Sequence, residues 1–375
     1  MKKLRTISII LNICLIFNIA FVPSIEAAEP KNNSIYVDAR CAIAMDSKSK
    51  CVLYEKNAEM LVPIASTTKI MTTLVALKYG NLDTKYEVSP KAASIRGSKV
   101  GYKKGEQISL KELLYGLMLR SGNDAAITIA EGISGSVEKF CELMNEYAIE
   151  IGAFNSHFES PHGLDSQNHY STAYDLARIT AKAKENKLFN EIVGVKDVDE
   201  KQNGFTRSYH NINKILYQIP NANGVKTGYT GGAGKCLVTS VKENDDDVII
   251  VVLNCTPRWK ETKKIYDFVK ENYDFKKLAS KDQVLDNIED NRGNKVKLVC
   301  NNDLVIPVGK QEKCEYKIIK PTKLPSKVYK GMNLGKINIY KDGKLVSSNV
   351  LKSGDNLNSI EIKGFFKKIK SILKK

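Results

Sequence analysis

A chain of 375 residues with 42% hydrophobic and 27% charged side chains can bury two ordinary cores, which excludes a disordered or fibrous polymer. Its formal net charge of +16 turns it toward acidic partners: anionic lipid heads, anionic wall polymers or nucleic acid. The cysteines include no C-x-x-C pair and no zinc spacing, which excludes a zinc-held module.

Residues 1–28 read as a secretory signal. Lys2, Lys3 and Arg5 precede an apolar run over 7–22, and Ala27 and Ala28 supply the small residues of a cleavage site. Asparagines interrupt the run, which argues against a permanent membrane helix. Ile13 ahead of Cys14 does not fit a lipoprotein acylation site. The mature chain is therefore expected outside the cytoplasm, where nucleic acid is the least fitting acidic partner. Cysteines 41, 51, 141, 236, 255, 300 and 314 remain, an odd number, so at least one thiol is expected to stay unpaired within the chain.

The next stretch predicts a hairpin: apolar runs at 35–37 and 42–45, a polar turn over 46–50, then 51–54. It leads into Pro63-Ile64-Ala65-Ser66-Thr67-Thr68-Lys69, at the start of an apolar run over 70–77 that ends at Gly80. Residues three apart share a helix face, so the Ser66 hydroxyl and the Lys69 amine can meet. A serine is a poor nucleophile until a neighbour takes its proton. A lysine can do so near neutral pH only if its pKa, ordinarily about 10.4, falls by roughly three units. Burial and a second cation both push that way. The same spacing occurs at Ser47/Lys50, Ser136/Lys139 and Ser371/Lys374, but in a polar turn, after a Gly-Ile-Ser-Gly break and in a lysine-rich tail. The plainer reading of Ser66 is a helix N-cap.

Residues 109–133 read as helix interrupted by the turn Arg120-Ser121-Gly122-Asn123-Asp124. A loop over 154–170 carries His157, His162 and His169, without metalloprotease spacing or an obvious set of acidic ligands, so no metal site is expected. Helix resumes over 171–183. Lys226-Thr227-Gly228 then lies in the stretch 225–234, beside an expected strand, followed by neighbouring core strands at 236–241 and 248–254 and a closing helix over 258–273. Beyond about residue 278 the pattern becomes short alternating runs at 296–300, 304–308, 316–319, 337–340 and 345–346, with the hairpin signal Asp342-Gly343. Last, residues 364–375 put Phe365, Phe366, Ile369, Ile372 and Leu373 on one helical face and lysines on the rest. That pattern suits a helix lying in an anionic membrane surface; a terminal helix docked on its own domain, or a solvated tail, is the plainer alternative.

Ser66-x-x-Lys69, Ser121-Gly122-Asn123 and Lys226-Thr227-Gly228, in this order, resemble the motif set of the penicillin-binding serine peptidases. The closest likeness is to the low-molecular-mass D-alanyl-D-alanine carboxypeptidases. It extends to Ser-Pro-His-Gly-Leu at 160–164, to Tyr170-Ser171-Thr172-Ala173, to the β domain and to the amphipathic end. The resemblance implies an α/β (α+β) chain: a signal peptide at 1–28, then a β-lactamase/transpeptidase-like catalytic domain at 29–278 with an antiparallel sheet flanked by helices. A small all-β domain at 279–361 and an amphipathic C-terminal helix at 362–375 would follow.

By the same resemblance Ser66 attacks the carbonyl between two D-alanines and Lys69 takes its proton. Ser121 relays a proton with Lys69 or Lys226, and Asn123 holds the substrate's amide. Lys226 and Thr227 face the terminal carboxylate, Gly228 lets the substrate lie close to its strand, and Arg258 binds the carboxylate. Backbone N–H groups of Ser66 and Tyr229 are expected to hold the oxyanion. No cofactor and no metal is called for. The implied partners are the peptidoglycan stem peptide, β-lactam antibiotics and, through the terminal helix, an anionic membrane surface, with no nucleic acid. The implied location is the outer face of the cytoplasmic membrane or the cell wall.

Three alternatives compete. A β-lactamase of class A would carry aspartate where Gly122 stands and a glutamate that activates water; Glu159 is the available one, beside a loop that fits the carboxypeptidases better. A non-catalytic wall-binding protein would be expected to have lost Ser66, Lys69 or Lys226. A DD-endopeptidase that cuts crosslinks shares every motif residue.

Overall fold

Strand β1 (Cys41–Asp46) is wholly buried and apolar up to its last residue, Asp46, and a turn returns the chain as β2 (Val52–Lys56), an edge strand with partly exposed side chains. The hairpin starts later than its apolar pattern suggests. Residues 35–37 form no strand, and the N–H of Asp38 is given to Glu261 Oε2 at 3.1 Å rather than to a ladder. The computed structural model describes residues 35–358 except 245, 290–292, 294 and 326. The expected signal segment and amphipathic terminal helix lie outside the described residues.

After a 3-10 turn, Ala65–Thr68, comes helix α1 (Lys69–Tyr79). Helices α2 (Leu110–Leu119) and α3 (Asn123–Ser134) are separated by the turn at 120–122, as the sequence predicts. Helix α4 (Val137–Glu150) begins at Ser136, whose hydroxyl accepts the N–H of Lys139 at 3.2 Å. That capping bond accounts for one of the competing serine–lysine spacings. Helix α5 (Ala173–Ala183) is capped in the same way by Thr172.

Strands β3 (Ala222–Thr230), β4 (Gly234–Glu243) and β5 (Asp246–Leu253) then join the first two in one antiparallel sheet, ordered β2-β1-β5-β4-β3. Residues 248–253 of β5 are all fully buried, so the sheet is covered on both faces. Ile249, Val251 and Leu253 join a core with Ile70, Leu74 and Ile129 from the helices. Helix α6 (Arg258–Asn272) packs on β4 and β5. The 3-10 turn carrying Ser66 packs against β3, so the sheet backs the turn directly.

A second sheet follows, built from Val284–Glu289, Lys295–Cys300, Lys344–Ser353, Asn333–Lys341 and Cys314–Ile319 in that spatial order. Its core includes Val296, Leu298, Ile337, Ile339 and Leu351. Tyr273–Ala279 pairs with Leu304–Gly309 beside it. The strands at 273–279 and 284–289 have little apolar pattern of their own and owe their form to the strands they pair with. The seven cysteines from Cys41 to Cys314 are free thiols. Among the described residues, no helix is long and apolar enough to cross a membrane.

Candidate active site

Ser66 is not a helix N-cap. It lies inside the 3-10 turn, where Ile64 and Thr68 occupy the capping positions without side-chain capping bonds. The turn opens at Ala65 with φ +49°, a left-handed conformation that a side chain disfavours. Local bonds hold it there. Thr67 Oγ1 donates to Ile64 O at 2.6 Å, and Thr68 Oγ1 donates to Ala65 O at 2.8 Å. His169 Nε2 stands 2.8 Å from Thr68 Oγ1, and since the threonine's own proton goes to Ala65, the imidazole is the donor.

Half-buried Ser66 leaves this turn with its hydroxyl 2.9 Å from Lys69 Nζ. Lys69 is fully buried, and its amine also reaches Asn123 Oδ1 and the His162 carbonyl oxygen, both at 2.8 Å. Asn123 Nδ2 donates to Arg96 O at 2.7 Å, which fixes the amide with its oxygen toward the lysine. Burial, reinforced by the charge of Lys226 and opposed by Asp124, holds the Lys69 pKa well below the usual lysine range. A neutral amine has two N–H bonds and one lone pair. Asn123 Oδ1 and His162 O can only accept, so in the neutral amine they take both N–H bonds and the lone pair faces the Ser66 hydroxyl, which in the protonated amine accepts the third N–H. The arrangement can deprotonate Ser66.

The second motif sits at the opening of α3. Ser121 is buried at φ +59°. The neighbouring Asp124 carboxylate anchors the turn by accepting N–H groups from Val100, Gly101 and Tyr102 at 3.0, 2.8 and 3.1 Å. Asn123, expected to hold substrate, has its oxygen on Lys69 and its nitrogen on Arg96 in this structure.

The third motif lies on β3. Lys226 is buried, donates to Thr227 O at 2.9 Å, and has its pKa lowered to about 7 by burial and by Arg258. Gly228 faces the turn that carries Ser66: a Cβ there would lie 3.1 Å from both Ser66 N and Ala65 Cβ, so the missing side chain keeps a gap in front of the Ser66 N–H. Tyr229 exposes 67% of its surface. Arg258 is half-buried, and its Nη1 donates to Gly228 O at 2.8 Å and Cys236 O at 3.0 Å. It is therefore held to the backbone of β3 and β4 and is no loose surface charge.

The loop at 160–165 closes the group. Thr72 Oγ1 donates to Pro161 O at 2.6 Å, and Gly163 N donates to Ser160 Oγ at 3.1 Å. The histidines serve this loop separately. His162 Nδ1 accepts from Leu164 N at 3.2 Å, His169 Nδ1 from Glu159 N at 3.1 Å, and His157 Nδ1 meets Asn168 O at 2.6 Å. The Glu159 carboxylate is taken up by Ser166 Oγ at 2.6 Å and by Asn168 N and Nδ2 at 3.2 and 3.3 Å, all inside its own loop. Sequence reasoning passed over the His162 carbonyl, Asp124 and the Thr68–His169 pair. Only Asp124 has a sequence signal, its place directly after Ser-Gly-Asn.

Residues 26–256 match the family described as D-alanyl-D-alanine carboxypeptidase, and residues 273–359 match the one described as penicillin-binding protein 5, C-terminal domain. The chain is 30% identical over 386 residues to D-alanyl-D-alanine carboxypeptidase DacF of Bacillus subtilis, covering 98% of each. It is 38% identical over 264 residues to D-alanyl-D-alanine carboxypeptidase DacC of Escherichia coli, covering 66% of this chain and 65% of that one. The crystal structure of penicillin binding protein 5 from Haemophilus influenzae aligns with a TM-score of 0.73 at 29% identity, over 87% of this chain and 99% of that one. With Ser66, Lys69 and Asn123 brought together on a transpeptidase-like domain that a β-rich domain follows, the chain belongs to the D-alanyl-D-alanine carboxypeptidase family of low-molecular-mass penicillin-binding proteins.

Proposed function

We propose that this chain is an exported serine DD-carboxypeptidase that removes the terminal D-alanine from peptidoglycan stem pentapeptides through a Ser66 acyl-enzyme, and that penicillin acylates the same serine. The observation that carries the reading is the Lys69 amine, buried, with its pKa held well below the usual lysine range, and 2.9 Å from Ser66 Oγ.

Ser66 Oγ adds to the carbonyl carbon between the two D-alanines while its proton passes to Lys69 Nζ. The Ser66 and Tyr229 N–H groups receive the oxyanion, a role that depends on the backbone of Tyr229 and not on its ring. Lys226, Thr227 and Arg258 face the terminal carboxylate. Lys69, through Ser121, returns the proton to the leaving amine as the C–N bond breaks. Water then adds to the ester, giving its proton to Lys69, and the C–O bond breaks with the proton returned to Ser66. With penicillin the same attack opens the lactam ring; the freed amine stays tethered, and the acyl-enzyme hydrolyses slowly.

The domain division at 29–278 and 279–361, the leader at 1–28 and the anchor at 362–375 belong to this reading. The protein would work at the outer face of the cytoplasmic membrane or the cell wall, its lysine-rich terminal helix lying on anionic lipid. The test is D-alanine release from a diacetyl-lysyl-D-alanyl-D-alanine peptide by the mature chain, with Ser66→Ala alongside. Release that requires Ser66 is expected. Covalent penicillin capture at Ser66 without release would mean a competent nucleophile acting on another substrate.

A further inference from the structure

The loop that carries His162 runs on into Asp165, and Asp165 ends on the far wall of the site. Its Oδ1 accepts from Thr230 Oγ1 at 2.6 Å and its Oδ2 from Gly232 N at 2.9 Å. Thr230 is the last residue of β3, and Gly232 lies in the turn to β4. Thr230 Oγ1 in turn accepts from Ala233 N at 3.1 Å, so its one proton is committed to Asp165 and a lone pair to the turn. Gly232 leaves room for the contact: a Cβ there would stand 3.0 Å from Asp165 Cγ.

The turn needs such a tether. Gly231, Gly232 and Gly234 leave it with little side-chain restraint, and nothing lies within 4 Å of a Cβ built on Gly231. Tyr229, one residue before Thr230, is where the oxyanion is to be received. On the other side, the loop's Pro161 and His162 carbonyls accept from Thr72 Oγ1 and Lys69 Nζ on α1, at 2.6 and 2.8 Å. Asp165 thus closes a chain of contacts from the base, through the His162 loop, to the end of β3.

We propose that Asp165 is a positioning residue: by tying the His162 loop to Thr230 and Gly232, it sets the gap between the Ser66–Lys69 pair and the Tyr229 N–H. This rests on the reading of Ser66 as the nucleophile. Because the Asp165 side chain is exposed, water replaces its partners when the tie is cut, and the fold keeps nearly all its stability. What is lost is the spacing on which the attack depends.

The test uses the full-length chain with Asp165→Asn, Thr230→Val, the double variant and Thr230→Ser, measuring the penicillin acylation rate, kcat and KM for D-alanine release, and the unfolding midpoint. Asp165→Asn and Thr230→Val should each slow acylation about tenfold or more and lower kcat more than KM changes, with the midpoint nearly unchanged. The double variant should be no slower than the worse single one, since both cut the same tie. Thr230→Ser, which keeps the hydroxyl, should retain the wild-type rate. Wild-type rates in both single variants, multiplied effects in the double variant, or a Thr230→Ser as slow as Thr230→Val would overturn the assignment. A wild-type chain that neither captures penicillin nor releases D-alanine would instead overturn the nucleophile reading, and this one with it.

Discussion

Gly163 lies so close to the Ala65 carbonyl that a Cβ on it would stand 2.0 Å from the oxygen and 2.5 Å from Thr68 Oγ1. Its φ of +82° is also one that side chains disfavour. The loop bearing His162 can therefore reach the turn that carries Ser66 only because position 163 has no side chain. Gly163→Ala should destabilise the fold by at least about 1–2 kcal/mol from backbone strain alone. The contact with Ala65 O adds to that, and penicillin capture at Ser66 should fall with it. Denaturant unfolding and a labelling time course check both; an unaltered midpoint with full labelling would contradict the account.

Lys226 is one of the two causes that hold down the pKa of Lys69, burial being the larger. A neutral base loses activity as pH falls through its pKa, so raising that pKa moves the acid limb of the rate profile upward. Lys226→Gln should shift the acid limb of penicillin acylation to higher pH, while continued burial keeps it below the ordinary lysine range. Acylation rates across the pH range test this; an unmoved limb would mean that the two lysines are not coupled.

His169 is held as a neutral ring, Nε2–H toward Thr68 Oγ1 and Nδ1 accepting from Glu159 N, and burial lowers its pKa to about 4. A histidine depressed in the folded state contributes stability that is present above its unfolded pKa, about 6.5, and lost as pH falls toward the folded value. His169→Gln should flatten the loss of stability between those two values and lower stability at neutral pH by about 1 kcal/mol. His162, lowered to about 3 by burial and Lys69, acts in the same window, so part of the slope should remain. Denaturant midpoints followed against pH give the answer, and a slope identical to wild type would count against the assignment.

At the other end of the sheet Asp46 and Asp246 are both buried, and Asp46 Oδ1 and Asp246 Oδ2 have no hydrogen-bond partner. Burial, then the Asp246 charge, raise the Asp46 pKa to about 7. A carboxyl raised in the folded state contributes stability present below its unfolded pKa and lost as pH rises through the folded one. Asp246→Asn removes the repulsion and offers an N–H, so it should raise the thermal midpoint, by more at mildly alkaline pH than at mildly acidic pH. A midpoint gain that does not depend on pH would contradict the origin assigned to it.

The site was legible where its chemistry resides in side chains at fixed spacing. Ser66 and Lys69 announce themselves by the helical offset and the apolar run behind them, whereas Ser136 and Lys139 share the offset and turn out to be a cap. Atoms of the backbone leave no such trace. The His162 carbonyl, which accepts from the Lys69 amine, could belong to any residue type. Arg258 reads as a charge at a helix start until the sheet brings the Gly228 and Cys236 carbonyls beneath it. The core strands of the catalytic sheet showed themselves by continuous apolar runs. Tyr273–Ala279 and Val284–Glu289, half-polar and dependent on their neighbours, did not.

The central claim is that Lys69, its pKa held down by burial and by Lys226, is the base that takes the Ser66 proton. Carbon-13 NMR of the lysine side chains, with Lys69 assigned by its loss in Lys69→Arg, measures this directly. The account predicts that Lys69 titrates well below the usual value of about 10.4. A Lys69 that titrates with the surface lysines would contradict it and return the search for the base to Ser121 and Lys226.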